Sequence, residues 1–215
     1  MPVLTLPEYY ERLLFVGENG SGKTELNKNL IAHYERFIAF DLKGDFTPPC
    51  DYKVLTEPED YRWKFMTPPR IVYRPKKQFR SGSWFNHTLE MLWDRSNKLK
   101  GKEPFIVDID EGLMQANLGT TAWLENLIVG ARGLNTGVWL NSQRPRNIPV
   151  SIRSEAWRWY IFALGYEEDE KEVVRYSKGM LTIADLQTLG DYSFYELRRL
   201  KGARKIVTKF PPLQI

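Results

Sequence analysis

Short apolar runs alternate along this chain with segments of helix length. The runs Leu13–Val16, Phe37–Phe40, Ile71–Tyr73, Phe105–Ile109, Val138–Leu140 and Trp159–Ala163 predict strands; 23–34, 83–99, 120–132, 150–156 and 167–177 predict helices. Parallel neighbours in a sheet need a crossover connection, usually a helix, so this alternation predicts an α/β fold with a mainly parallel central sheet covered by helices on both faces. The end of the chain differs. Ser193–Arg199 and Arg204–Phe210 flank Lys201-Gly202-Ala203, which predicts a β-hairpin closing one edge. Pro48-Pro49, Pro68-Pro69 and Pro211-Pro212 punctuate loops and the tail, and no internal repeat or low-complexity linker divides the chain, so residues 1–215 are expected to form one domain.

Composition adds little to that fold but narrows the chemistry. With 215 residues, 42% of them hydrophobic and 27% charged, the chain is long enough for one substantial core. Cys50 is the single cysteine, which excludes a disulfide framework and a cysteine-based zinc site and points to a reducing compartment. No apolar run approaches the roughly 18 residues of a membrane span, and the first residues lack the pattern of a signal peptide, so a soluble intracellular protein is expected. The net charge of +4 permits binding to a polyanion. Arg198, Arg199, Lys201, Arg204, Lys205 and Lys209 fall in an acid-free stretch, and Arg70, Arg74, Lys76, Lys77 and Arg80 form a second cluster. Each reads either as a solvated face or as a nucleic-acid contact. Glu167, Glu168, Asp169 and Glu170 read as the first turn of a helix, where negative charge suits the helix dipole.

The decisive local pattern is Gly17-Glu18-Asn19-Gly20-Ser21-Gly22-Lys23-Thr24 directly after the first apolar run. A strand ending in such a loop and opening a helix aims successive backbone N–H groups and the positive end of a helix dipole at one spot, which suits a polyphosphate. Lys23 then supplies a point charge to the β- and γ-phosphates, and the Thr24 hydroxyl can complete a Mg²⁺ shell. The run Phe105–Ile109 ends in Asp110-Glu111. Asp110 suits the metal shell, and Glu111 stands one step further on, where a base can orient and deprotonate an attacking water. Asp108 shares the period-two face of Asp110 as a supporting carboxylate. After Val138–Leu140 comes Asn141-Ser142-Gln143-Arg144-Pro145, where an amide at a strand tip can touch both the water and the γ-phosphate; a polar turn leading into Pro145 is the alternative.

These landmarks, taken in order, resemble the HerA/FtsK superfamily of DNA-pumping ATPases. The match runs from about Leu13 to Ala163 through the phosphate loop, Asp41-Leu42-Lys43-Gly44, Asp110-Glu111, Gly130-Ala131-Arg132-Gly133 and Gln143-Arg144-Pro145. Asn141-Ser142 departs from the family's more hydroxyl-rich lead into the glutamine. Within the superfamily the compact chain is most similar to the genome-packaging ATPases of icosahedral double-stranded DNA viruses with an internal membrane. The resemblance implies a RecA-like P-loop NTPase fold, ATP and Mg²⁺ as cofactors, and a phosphate loop formed by Gly17, Glu18, Asn19, Gly20, Ser21, Gly22, Lys23 and Thr24. It further implies Thr24 and Asp110 at the metal, Glu111 as base, Gln143 as sensor, and an arginine acting across a subunit interface. Arg132 is favoured for that last role, with Arg144, Arg146 and Arg153 as the other candidates. The implied partners are double-stranded DNA, further copies of the chain in a pentameric or hexameric ring, and a capsid or packaging-vertex protein. The implied location is the host cytoplasm or the vertex of the virion. Conjugation, segregation or filamentous-phage assembly is the alternative within the superfamily, and a P-loop nucleotide kinase the alternative outside it.

Overall fold

The computed structural model describes residues 2–57, 70–110, 122–200 and 205–212. Their strands form one nine-stranded sheet in the order β3-β4-β2-β5-β6-β1-β7-β8-β9. These are β1 (Arg12–Val16), β2 (Phe37–Phe40), β3 (Lys53–Leu55), β4 (Ile71–Tyr73), β5 (Phe105–Ile109), β6 (Thr136–Ser142), β7 (Arg158–Ile161), β8 (Phe194–Arg199) and β9 (Lys205–Phe210). From β3 to β7 every neighbouring pair is parallel, and β8 runs antiparallel to both β7 and β9. The helices are α1 (Lys23–Ile31), α2 (Gly82–Leu99), α3 (Ala122–Gly130), α4 (Val150–Glu155), α5 (Glu167–Ser177) and α6 (Ile183–Gln187). Among the described residues no helix is long and apolar enough to cross a membrane.

The apolar runs become the centre of the sheet because both of its faces are covered. On one face Leu14, Val16, Ile38, Phe40, Val107 and Ile109 pack with Leu89 and Leu92 of α2, Leu124 and Leu127 of α3, and Val173 of α5. On the other, Leu13, Phe15, Phe37, Ile106, Trp139 and Tyr160 pack with Leu26, Leu30 and Ile31 of α1. Each such side chain removed from water contributes about 1.5–3 kcal/mol, which explains why these strands lack an alternating polar face. Because α1 lies on one face and α2 to α5 on the other, the loop leaving β1 diverges from the one leaving β6. That divergence opens a crevice at the carboxyl ends of the strands, the place where open α/β sheets hold ligands.

Two elements escaped the sequence pattern. Strand β3 has three residues, two of them exposed, so it lacks an apolar run. Helix α6 has five residues and is fixed by local chemistry instead: the Thr182 side chain accepts from the Asp185 backbone N–H while the Asp185 carboxylate accepts from that of Thr182. Strand β6 is longer than its apolar centre because Thr136, Asn141 and Ser142 are buried within the ladder. Where the parallel strands begin, the Arg12 guanidinium donates to the carbonyls of Ile128 and Val129 and caps the last turn of α3. At the same end Arg158, almost fully buried, forms ion pairs with Glu11 (2.5 Å) and Glu196 (2.9 Å), locking the N-terminal segment and β8 onto β7. Burial works against the Arg158 charge, but these carboxylates outweigh it and hold the guanidinium firmly protonated.

Candidate nucleotide site

Strand β1 lies between β6 and β7, and the loop that leaves it is pinned from both sides. The Gly17 N–H donates to the carbonyl of Ser142 at the end of β6 (3.3 Å), and the Glu18 N–H to that of Ala163 beyond β7 (2.8 Å). A Cβ on Gly17 would lie 2.7 Å from the Phe162 Cβ, so no larger residue fits between these strands. Gly22, with φ 102°, turns the chain into α1 in a conformation that favours glycine, and it offers no side chain to cap the helix. The first amides of α1 are therefore left to an anion. Glu18, Asn19 and Gly20 form the exposed crest, whereas Ser21, Gly22 and Lys23 lie beneath it. The Lys23 Nζ donates to the Glu18 carbonyl at 2.7 Å, which holds the charge against the loop. Among the described residues the buried Ser21 Oγ has no hydrogen-bond partner, as expected of a loop shaped around a polar ligand.

The acidic strand β5 is tied to this loop through Asp108. That carboxylate is fully buried and accepts from Asn27 of α1 (Nδ2, 2.8 Å) and, at 3.5 Å, from Asn141 of β6. Burial holds its carboxyl well above the usual carboxylate range, against the pull of the Asn27 hydrogen bond in the other direction. Asp108 thus joins the loop helix, the acidic strand and the strand between them. The lead Asn141-Ser142 acquires a reason here, since Asn141 faces Asp108 and Ser142 receives the loop. Asp110, 6% exposed, stands at the tip of β5 two residues further along the same face. Glu111, the sequence-predicted base, lies outside the described residues.

Because β6 separates β1 from β5, its tip projects between the phosphate loop and Asp110. Gln143 occupies that tip and is half-buried. The next residues are clamped by Asp169 of α5, which is fully buried. One oxygen accepts from the Arg144 Nε at 2.5 Å and the other from the Arg146 backbone N–H at 3.1 Å, while the Arg144 guanidinium lies 3.9 Å over the Tyr166 ring. The acidic first turn of α5 therefore does more than complement a dipole: Asp169 fixes the loop that follows Gln143, and Glu170 accepts from Gln187 of α6. Helical periodicity marks which of the four acids turn inward, but nothing in the sequence names their partners.

Among the described residues no group of three or more His, Cys, Asp or Glu side chains is placed to hold a metal ion. Thr24 and Asp110 provide an oxygen set to which a nucleotide's phosphates would add the remaining ligands, an arrangement suited to Mg²⁺.

No family model and no curated protein matches this sequence. Solved structures do. The genome-packaging NTPase B204 of Sulfolobus turreted icosahedral virus 2, in complex with AMPPCP, superposes with a TM-score of 0.73 at 17% identity, over 95% of this chain and 99% of that one. The chain shares the P-loop fold of that protein. The same P-loop fold occurs in ATPases 2 and 3 of EssC from Geobacillus thermodenitrificans (TM-score 0.60, 10% identity, 94% of this chain and 39% of that chain). It recurs in the cytoplasmic domain of the type VII secretion ATPase EccC from Thermomonospora curvata (0.61, 13%, 94% and 25%).

Within this P-loop fold the four candidate arginines separate. Arg144 is held by Asp169, and Arg153 is buried in an ion pair with Glu172. Arg146 is exposed beside the sensor loop. Arg132 lies in the 3₁₀ turn Ala131–Leu134 that leads into β6, at the sheet end away from its own phosphate loop. The two basic clusters also part company. Arg74 follows β4 at the nucleotide end and pairs with the buried Asp41 (2.7 Å), which also accepts from the N–H groups of Gly44 and Phe46 and so shapes the Asp41-Leu42-Lys43-Gly44 turn. Of the C-terminal cluster, Arg198, Arg199 and Lys205 lie at the opposite end, with Arg199 paired to Lys205 across the hairpin, whereas Lys209, opposite Tyr195, lies toward the nucleotide end. Lys201 and Arg204 lie outside the described residues.

Proposed function

We propose that this chain is an ATP-hydrolysing motor that drives viral double-stranded DNA into a preformed capsid, working as a pentameric or hexameric ring in the host cytoplasm at a packaging vertex. One observation carries the reading: β6 stands between the phosphate-loop strand and the acidic strand, so Gln143 projects between the phosphate loop and the carboxylates. A group placed there meets the attacking water and the γ-phosphate together. A kinase needs that space for its acceptor, which leaves the nucleotide-kinase reading with less support. B204, described as a genome-packaging NTPase, matches nearly the whole of both chains, whereas EssC and EccC are far larger than this chain. The higher TM-score to B204, 0.73 against 0.60 and 0.61, supports packaging over secretion or segregation.

In this mechanism the amides of the loop and the start of α1 bind the β- and γ-phosphates, and Lys23 leaves the Glu18 carbonyl for them. Thr24 and Asp110 would hold Mg²⁺, which when bound would neutralise charge on the phosphates. Glu111 takes a proton from water as the water oxygen attacks the γ-phosphorus, and the bond to the bridging oxygen of ADP breaks. Gln143, held by the Asp169 clamp, orients the water. Arg132 of one subunit reaches the neighbour's γ-phosphate and stabilises charge that develops only in the transition state.

Mixing tests the shared site. Glu111→Gln and Arg132→Ala subunits are each expected to bind ATP and to turn over at least about a hundredfold more slowly than wild type. A mixture of the two should recover activity, because some interfaces then pair an intact Glu111 with an intact arginine. Mixed rings in which none returns would exclude Arg132, and wild-type turnover by Glu111→Gln would exclude the base.

A further inference from the structure

Resting on that reading, we infer that Lys178, Arg199 and Lys205 form a binding site for the backbone phosphates of duplex DNA, at the end of the sheet opposite the phosphate loop. Strand β8 runs antiparallel to β7, so Arg198 lies opposite Arg158, the first residue of β7, and Arg199 lies one step beyond it. Arg199 and Lys205 are the last cross-strand pair of the hairpin before its connection. Directly opposed residues share a face, here the face covered by α4 and α5. The Arg199 Nη1 donates to the Ser154 carbonyl of α4 at 3.1 Å. The Lys205 Nζ donates to the Tyr176 carbonyl of α5 and sits 3.6 Å over the Tyr176 ring. Lys178 caps α5 in a left-handed conformation (φ 58°), with its side chain exposed. The carboxyl-terminal ends of two helices thus gather three cations, each end favouring positive charge through its carbonyl dipoles.

Helix capping alone does not account for the cluster, because its charge is left unbalanced. Elsewhere five arginines that fasten one element to another meet carboxylates, Arg74 with Asp41, Arg95 with Glu103, Arg144 with Asp169, Arg153 with Glu172, and Arg158 with Glu11 and Glu196, whereas Arg12 and Arg70 donate to carbonyls. Among the described residues Lys178, Arg198, Arg199 and Lys205 form no ion pair. The nearby carboxylate, Glu155, acts on Tyr176. Carbonyl oxygens satisfy hydrogen bonds without cancelling a full charge. The repulsion is visible at Lys205, whose pKa is brought down to about 8 by burial first and then by Lys178 and Arg199. A phosphate diester supplies the missing negative charge, and the guanidinium and ammonium groups recognise it without reading base sequence. Half-buried stems and carbonyl anchors restrict the rotamers of Arg199 and Lys205, which lowers the entropy lost on binding.

The test is fluorescence anisotropy of the full chain with a labelled duplex of arbitrary sequence across a salt series, without nucleotide. The variant Lys178→Gln/Arg199→Gln/Lys205→Gln is expected to lose at least about tenfold in affinity. Its plot of log K against log salt should be shallower by roughly two to three, at about 0.9 per phosphate contact. Lys76→Gln/Lys77→Gln, at the nucleotide end, should match wild type. Should the triple variant fail to fold, Lys178→Glu alters one exposed side chain outside both strands and should weaken binding by severalfold. Wild-type affinity and slope in these variants would overturn the inference, as would a wild-type chain that binds no duplex. Loss of duplex binding in a chain that shows no ATP hydrolysis would uphold the phosphate site while removing the motor reading.

Discussion

At the end of the sheet where the parallel strands finish, charge is held chiefly by groups that a ligand can replace or extend: Lys23 by a loop carbonyl, Asp108 by side-chain amides, Asp41 and Asp169 partly by backbone N–H groups. At the end where the strands begin, Arg158 is closed off by two carboxylates, and a few residues away Arg199 and Lys205 carry charge against carbonyls and the Tyr176 ring, without an ion pair among the described residues. Closed ion pairs fix structure, whereas charge left without a counter-charge invites a partner. Helix α5 links the two ends. Its first turn clamps the Gln143 loop through Asp169, and its last turn carries the Tyr176 carbonyl and is followed by Lys178. Eleven residues of helix span roughly 16 Å, so a single rigid element touches both the sensor loop and the cationic cluster.

The strongest way to break the comparison is to open the closed pair. Arg158→Met leaves Glu11 and Glu196 buried without a cation and should cost about 3–5 kcal/mol, read as a lowered urea midpoint with an unchanged slope. Because the lesion lies away from the phosphate loop, ATP affinity per folded molecule should stay within about twofold. A large fall in nucleotide affinity at unchanged stability would erase the distinction between the two ends.

A smaller effect is expected from Asp169→Asn, which removes the charge that pairs with Arg144 but keeps a hydrogen-bonding side chain of the same size. Turnover should fall about tenfold while nucleotide affinity holds, since the clamp positions Gln143 and does not itself touch phosphate. Loss confined to affinity, with kcat intact, would show that Asp169 serves the loop in another way.

The smallest effect sharpens the cationic end. Lys205 sheds its proton as pH rises through about 8, whereas an ordinary lysine holds it to about 10.5. The charged groups that face Lys205 are Lys178 and Arg199. Duplex affinity should therefore fall a few-fold between pH 7 and 9, and the salt slope should drop by about one. Lys205→Gln should abolish this pH dependence; its persistence in that variant would assign the titration to another group.

Much of this molecule was legible in the order of its residues, and for a physical reason. Strand and helix formation, the glycine turn at 17–24 and the acidic tip at Asp110 depend on neighbours in the chain, so a contiguous stretch carries its own instructions. That is why the strands from β1 to β7, apart from the short β3, and the helices α1 to α5 follow from the apolar pattern. Tertiary structure alone decided which strand lies between which, and with it the placement of Gln143 between the phosphate loop and Asp110. It also chose the partners of buried charge: Asp108 with Asn27 and Asn141, Asp169 with Arg144, Arg158 with Glu11 and Glu196. It sent Arg74, and Arg199 with Lys205, to opposite ends of the sheet. Such pairings join residues far apart in sequence, where desolvation and geometry select one partner among many of the same charge.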